Sequence, residues 1–578
     1  MGARLRTSTA RALPALCALL LLGALMWPLF TYSGFNGDWE HHLWLMWHQS
    51  RSIEADLFPS FFLNSAYSVF NPIYAFYGGT LYAVGGALSL VLGNAPVQAY
   101  VLIYVLDYAA AFGGWYWLGR MAGLGRWTAI VPGLIFVTSA YYATLIYVRG
   151  DWPEFTATSM IPLMVAAGLS VLRADRLRMP AACALALSSV LFFGSHNLTV
   201  LLGLTTLAML VVAVVVCVPE ARRLITRRGL LRLVGVVVPA ALVSAWYLLP
   251  MLAYQSRTQI GSEFHQTQQS LRSTASLVSL GHLLTLSRPT VLPPPSPYYP
   301  YAFALALPVL AIVWVAAGVL VLPWRSRNPT WARMLAICSA IAILVAIAMT
   351  HVGVLLALPR PYTFVQFSYR LETYVELALS GAALSALVLA KQRSRLATPW
   401  SWLAIPVCAV SLAGAIDQIA VYPYPGQDRY GALESYGEVE TGNTQAYQDA
   451  SERVIHTRNL PTLTFPPSAV QGDRVSATVR VRAGTLLATN VAAGSYLLHV
   501  SGAKPVGIDA QSGLMVLAVG GAASAASPVR EQTITVSTGD GLPIVLGRLL
   551  TLCGLAILLA QLLALPAYRL LARRIRAS

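Results

Sequence analysis

Long apolar runs separated by short polar breaks dominate this chain. A spanning helix needs about 20 apolar residues. About twelve stretches qualify, at 11–32, 97–119, 128–148, 157–173, 180–195, 197–218, 229–253, 300–323, 332–352, 371–390, 399–421 and 543–567. The first follows Arg4, Arg6 and Arg11, is longer than a signal-peptide core and has no small-x-small cleavage site after it, so it reads as an uncleaved helix. A further apolar stretch, 72–93, is set apart by the charge pattern. Lys and Arg mark cytoplasmic loops. The clusters Arg4/Arg6/Arg11, Arg120/Arg126, Arg173/Arg176/Arg178, Arg222/Arg223/Arg227/Arg228, Arg325/Arg327/Arg333, Lys391/Arg393/Arg395 and Arg569/Arg573/Arg574/Arg576 all fall inside only if 72–93 does not span. It therefore reads as re-entrant or interfacial. Asn71-Pro72 and Gly78-Gly79 interrupt it, and Tyr67, Phe70, Tyr74, Phe76, Tyr77 and Tyr82 read as membrane-belt aromatics.

The pattern changes after 421. A polar stretch rich in Tyr, Gly and Glu (Tyr422 to Asp449) leads into short alternating segments such as Arg474–Arg482 and Gly494–Val500. Period-two alternation bounded by Gly and Pro predicts antiparallel strands, here a small β-sandwich at about 460–540 that packs over the outer mouth. The expected fold is a mainly α polytopic membrane protein with an extracytoplasmic β domain near its C-terminus. Its parts are a transmembrane domain at 1–421 with a large outer loop at 33–96, a mostly β domain at 422–542, and a final helix with a basic cytoplasmic tail at 543–578.

Composition agrees with the pattern: 57% of residues are hydrophobic and 11% charged, where soluble proteins carry about 25% charged residues. The formal net charge of +16 does not indicate nucleic acid, because the arginines sit in orientation clusters rather than in a basic tail or an Arg-aromatic stripe. The six cysteines all lie in apolar runs without a Cys-x-x-Cys pair, so neither zinc nor a disulfide framework is indicated.

The candidate chemistry gathers at outer helix ends. Acids are costly in lipid unless they line a wet cavity or do chemistry. Asp38, in Gly37-Asp38-Trp39-Glu40-His41-His42, suits a general base or an oxygen ligand for a divalent cation; it would also suit a helix cap. Residues 38, 41 and 42 share one face of a helix starting there, so His41 and His42 would join Asp38 toward a substrate or else face headgroups. The second motif, Arg149-Gly150-Asp151-Trp152-Pro153-Glu154, offers Asp151 and Glu154 as further catalytic acids. Pro153 belongs in a first helical turn, which also makes Asp151 a natural cap. Arg149 would pair with an acid or hold a phosphate. His196 interrupts an apolar stretch as a turn residue or a substrate ligand. Gln366 and Arg370, in Val365-Gln366-Phe367-Ser368-Tyr369-Arg370, place a cation at an outer helix mouth, where a phosphate would satisfy it. Asp38 and Glu154 are the candidate metal ligands. The chain has no P-loop, dinucleotide fingerprint, Gly-x-Ser-x-Gly elbow or His-Glu-x-x-His, which speaks against a nucleotide-fuelled pump.

These strings, in this order, resemble the bacterial integral membrane proteins labelled "6-pyruvoyl-tetrahydropterin synthase-related", relatives of membrane glycosyltransferases of GT-C fold. The matching residues are Gly37-Asp38-Trp39-x-x-His42, Val69-Phe70-Asn71-Pro72-Ile73-Tyr74, Arg149-Gly150-Asp151-x-x-Glu154, His196 and Gln366-Phe367-Ser368-Tyr369-Arg370. The resemblance runs to about residue 390. It implies a hexosyl- or pentosyltransferase in the bacterial plasma membrane, with both termini cytoplasmic. Such an enzyme moves a sugar from a polyprenyl-phosphate donor to a glycan, lipid or protein acceptor on the outer face. The alternative is a non-enzymatic transporter or assembly partner for lipid-linked glycans. Asp38 would be the base, Asp151 or Glu154 a second acid, and Arg370, with Arg149, the phosphate ligand. The family's second motif commonly has a small or aromatic residue where this chain has Asp151. A divalent cation is compatible with the resemblance. No pterin is expected, because the zinc-binding histidine set of a pterin synthase is absent.

Overall fold

The computed structural model describes residues 20, 22–27, 29–30, 38–258, 329–392 and 452–577, except 66–67, 148, 360, 363–364, 366, 472, 521–527 and 540. The protein is a multi-pass helical membrane protein with a C-terminal sheet region. Among the described residues, six helices are long and apolar enough to cross a membrane, and eight if each bent pair counts as one span. The expected twelve are not reached within these residues; the stretches 300–323 and 399–421 lie outside them, as does most of 11–32.

We label the main helices α1 (Trp39–Asp56), α2 (Gly79–Val91), α3 (Pro96–Met121), α4 (Arg126–Val137), α5 (Ala140–Tyr147), α6 (Trp152–Arg173), α7 (Met179–Ser195), α8 (Asn197–Cys217), α9 (Arg227–Leu242), α10 (Ala245–Tyr254), α11 (Pro329–Thr350), α12 (Glu372–Gln392) and α13 (Leu542–Ala577). Two expected spans are broken. The one expected at 128–148 bends by 60° between α4 and α5, and that at 229–253 by 71° between α9 and α10. Pro239 lies four residues before the second break, where a ring without an N–H and its steric demand favour a bend.

Residues 72–93 form a short helix, Ile73–Phe76, and then α2. Thirteen residues rise only about 20 Å, short of a bilayer core of about 30 Å. Gly78 separates the two pieces at φ +55°, and a Cβ there would sit 2.3 Å from the Ser195 carbonyl oxygen, so both the backbone angle and the close approach require glycine. The belt assignment of the neighbouring aromatics is overturned for Phe70, Tyr74 and Tyr82. All three are buried. Tyr74 donates to the Leu45 carbonyl at 2.9 Å, and Tyr82 pairs with His42. Protein, not lipid, surrounds them, because α1 and α2 pack face to face. Trp246 fixes the start of α2 by donating to Thr80 Oγ1 at 3.1 Å, while its own amide donates to Thr551 of α13 at 2.9 Å.

The C-terminal region has two sheets. We label the strands β1 (Val454–Ile455), β2 (Thr462–Leu463), β3 (Arg474–Val481), β4 (Leu486–Thr489), β5 (Leu498–Ser501), β6 (Ala503–Asp509), β7 (Met515–Val519) and β8 (Arg530–Thr538). One sheet has the order β1-β6-β7-β4-β2 and the other β3-β8-β5. The strands are not all antiparallel as expected: β1 pairs parallel with β6, and β2 with β4. These edge strands are two residues long, too short for the alternation to reveal them. Inward residues of both sheets, including Val475, Ile534 and Val536 with Leu487, Met515 and Leu517, share one core.

The C-terminal sheet region is tied to the loop that carries Val69 through the backbone. Val69 donates to the Asn490 carbonyl at 2.8 Å, and the Ala492 amide donates to the Val69 carbonyl at 3.0 Å.

Candidate functional site

The two Gly-Asp-Trp motifs meet. The Asp38 amide donates to the Arg149 carbonyl at 2.8 Å. Asp38 stands at the cap position of α1, yet its side chain makes no capping hydrogen bond. Residue 38 is exposed as a whole, yet protein groups surround its carboxylate. Desolvation by these surroundings, with the negative charge of Asp151, pushes its pKa above the usual carboxylate value, against the opposing effect of His41, Arg149 and Arg370.

Asp151 behaves in the opposite way. It caps α6, its Oδ1 accepting from the Glu154 amide at 3.1 Å. The segment is turned back onto α5 by the Asp151 amide, which donates to the Leu145 carbonyl at 2.8 Å. Burial acts to raise its carboxyl, but Arg149, His196 and Arg370 outweigh that and hold it below the usual range.

Around it lies a buried group of two arginines and two acids. Arg149 Nη2 reaches Asp151 Oδ2 at 2.7 Å, and Nη1 reaches Glu154 Oε2 at 3.0 Å. Arg370 approaches the same two oxygens more loosely, Nε at 3.4 Å from Glu154 and Nη2 at 3.8 Å from Asp151. Tyr141 completes the set: its hydroxyl donates to Glu154 Oε1 at 3.0 Å and accepts from Arg149 Nη1 at 3.0 Å. The Arg149 guanidinium also lies 5.4 Å from the Tyr369 ring centroid, within cation–π range. All four carboxylate oxygens of Asp151 and Glu154 therefore have partners.

The histidines border this group. His196 caps α8, its Nδ1 2.7 Å from Thr199 Oγ1, and its Nε2 faces Arg370 Nη1 at 3.5 Å. Burial, with the two arginine charges, lowers its pKa to about 3, against the pull of Asp151, so it is neutral at physiological pH. His42 is buried, with Nδ1 2.7 Å from the Tyr82 hydroxyl and its ring stacked on Tyr77 at 5.7 Å. Burial and neighbouring His41 hold it well below the ordinary histidine value. The His41 ring lies 5.3 Å from that of His42. Tyr77 connects the histidines, meeting the His196 ring edge-on at 5.8 Å.

Asp38, His41, His42, Arg149, Asp151, Glu154, His196 and Arg370 thus occupy one region, while Gln366 lies outside the described residues. Sequence reasoning missed Tyr141 and Tyr77 as site residues and misread Tyr82 as a belt residue. For Tyr77 and Tyr82 the signal was proximity to the Asn-Pro and Gly-Gly breaks; Tyr141 had none beyond its place eight residues before Arg149.

Asp151, Glu154 and His196 each bring a ligand atom within 4.8 Å of the others. This set does not fit a divalent ion as it stands, since both acids are already neutralised by arginines and an added ion would face two guanidinium charges.

No family model and no curated protein sequence matches the chain. Among solved structures it is similar to the arabinofuranosyltransferase AftD from Mycobacteria over 71% of this chain and 27% of that one, at 14% identity and TM-score 0.39. It is similar to the oligosaccharyltransferase AglB from Archaeoglobus fulgidus over 78% of this chain and 62% of that one, at 12% identity and TM-score 0.43. ArnT from Cupriavidus metallidurans, bound to undecaprenyl phosphate, aligns over 90% of this chain and 99% of that one, at 12% identity and TM-score 0.27. The chain spans about a quarter of AftD and less than two thirds of AglB. At such identities and scores the likeness does not define a family for this chain. What fold and site define together is a polytopic membrane protein with an uncapped carboxylate beside a buried arginine–carboxylate group.

Proposed function

We propose that the protein is a membrane glycosyltransferase that moves a sugar from a polyprenyl-phosphate donor to a glycan, lipid or protein acceptor. The site would lie on the outer face of a bacterial inner membrane, with both termini cytoplasmic. The observation that carries this reading is the backbone bond from Asp38 to Arg149, which sets a carboxylate free of any capping duty beside two arginines.

In this reading the acceptor hydroxyl attacks the anomeric carbon. Its proton passes to Asp38, the new carbon–oxygen bond forms, and the bond to the carrier phosphate breaks, with inversion at that carbon. A raised pKa makes the Asp38 carboxylate a stronger proton acceptor once ionised. Arg370 would take the departing phosphate, since its contacts with Asp151 and Glu154 are the long ones and a phosphate offers it a charge-assisted bidentate partner. Arg149 is held by Asp151, Glu154 and Tyr141. Asp151 and Glu154, with every oxygen engaged, act in this scheme as positioning residues that aim the arginines rather than as proton carriers. Asp38 and Glu154 are the candidate ligands for a divalent ion, and no step is assigned to one.

The test is turnover of a panel of radiolabelled polyprenyl-phosphate sugars by purified protein in nanodiscs. Wild type is expected to consume one donor, and Asp38→Asn to bind it without consuming it. Binding without consumption by wild type would overturn the enzymatic reading in favour of a transporter or assembly partner for lipid-linked glycans.

A further inference from the structure

A second acidic pair lies one turn below the site, inside the span Ser368–Lys391. Glu372 and Glu376 stand at i and i+4, on one face of α12. Both are buried, at 2% and 3% exposure. Neither makes an ion pair with any described residue. The charged or titratable groups around them are few. From α5, Tyr142 lies within electrostatic reach of Glu376, and its hydroxyl is engaged with Ser159 Oγ at 2.6 Å. Arg370, two residues before Glu372, is directed at Asp151 and Glu154.

Two carboxyl groups in a membrane interior without a counter-charge cannot both remain ionised. Yet their setting favours negative charge. Glu372 occupies the first turn of α12, the positive end of the helix dipole. Glu376 lies within electrostatic reach of Ser139 and of the Tyr141 backbone at the break between α4 and α5. Ser139 is fully buried, its Oγ has no hydrogen-bond partner of good geometry, and Glu372 Oε1 has none either. Oxygen ligands at a broken membrane helix are the arrangement by which such helices hold small cations.

We propose that Glu372, Glu376 and Ser139 form an intramembrane site for one monovalent cation, a proton or an alkali-metal ion. The occupant supplies the missing positive charge and uses the unpartnered oxygens. Its effect would reach the arginine–carboxylate group through Tyr141, whose backbone lies near Glu376 and whose hydroxyl donates to Glu154 Oε1 at 3.0 Å. Cation occupancy therefore sets the position of α5 and, with it, the arginine–carboxylate group. This inference does not depend on the glycosyltransferase reading.

The experiment is thermal melting of the full-length protein in nanodiscs in sodium, lithium, potassium or choline chloride at equal ionic strength, from mildly acidic to mildly alkaline pH. For an alkali-metal ion, sodium or lithium raises the melting temperature by several degrees over choline, most at alkaline pH where protons compete least. Glu372→Gln and Glu376→Gln lose that rise. For a proton, melting falls as pH rises, equally in every salt, and Glu376→Gln flattens the slope. Identical salt and pH responses in wild type and a Glu372→Gln/Glu376→Gln protein would overturn the proposal. If those variants do not fold, equilibrium binding of radioactive sodium to wild type and the pH slope of melting in Asp38→Asn decide: no saturable binding, and no slope left once Asp38 is removed, would overturn it equally.

Discussion

Asp38 and Asp151 are the same residue type in the same local string, and the structure gives them opposite electrostatics. Asp151 is bound to its helix and to Arg149, so its ionised form is favoured; Asp38 makes no cap bond and is held above its ordinary pKa by desolvation. A carboxyl whose folded pKa exceeds its unfolded value binds more protons when folded. Its contribution therefore favours folding at low pH and is lost as pH rises through the window between ordinary and raised values. Asp38→Asn is thus expected to melt above wild type at neutral pH while losing turnover. In wild type, turnover should fall on the acid side at a higher pH than an ordinary carboxylate would give. A melting curve and a pH–rate profile check both. Arg149→Leu should do the reverse, leaving two buried carboxylates with only the looser Arg370, at a cost of about 3–5 kcal/mol; chemical or thermal denaturation in detergent measures it. Which aspartate caps a helix was not legible in the sequence, because both stand before a helix and the choice depends on where Arg149 lies.

At the scale of elements, the apolar runs located the helices well, because a membrane demands a long hydrophobic stretch whatever its partners. They did not show that 128–148 and 229–253 are broken, since composition stays apolar across a break. The segment 72–93 was set apart by charge and its helix α2 is too short to cross a bilayer alone, but its aromatics were not legible as core. An aromatic residue near a membrane surface looks alike in sequence whether lipid or a second helix covers it. The packing here leaves little room. Gly78→Ala would force a Cβ to within 2.3 Å of the Ser195 carbonyl at a left-handed backbone angle and is expected to lower the melting temperature markedly. Gly93, also left-handed but with nothing within 4 Å of its added Cβ, is the control that carries strain alone and should lose less. The difference between the two melting temperatures isolates the close approach.

For the whole molecule, the sheet region is joined to the helical part. Its backbone takes up Val69, and Tyr254 at the end of α10 packs on Tyr496 at 5.3 Å. Asn490 holds the other side of this junction, exchanging side-chain hydrogen bonds with the Phe465 backbone at 2.9 Å each way. Asn490→Ala is expected to loosen the loop, so that amide exchange at residues 63–71 accelerates while α3 and α6 keep their protection. Unchanged exchange there would show that the loop holds itself. The alternation of Arg474–Arg482 and Gly494–Val500 made strands legible, but a single-residue bridge between distant segments leaves no periodic trace.

The bond between Asp38 and Arg149 also bears on how the protein is made. Asp38 emerges from the ribosome early, whereas Arg149, His196, Arg370 and the strand that receives Val69 follow in that order. A nascent chain halted before Ser368 would carry the carboxylate but not the second arginine, and one halted before Asn490 could not fasten the loop that carries Val69. The arginine–carboxylate group is therefore completed late in biosynthesis, and chains terminated before Arg370 would carry it only in part.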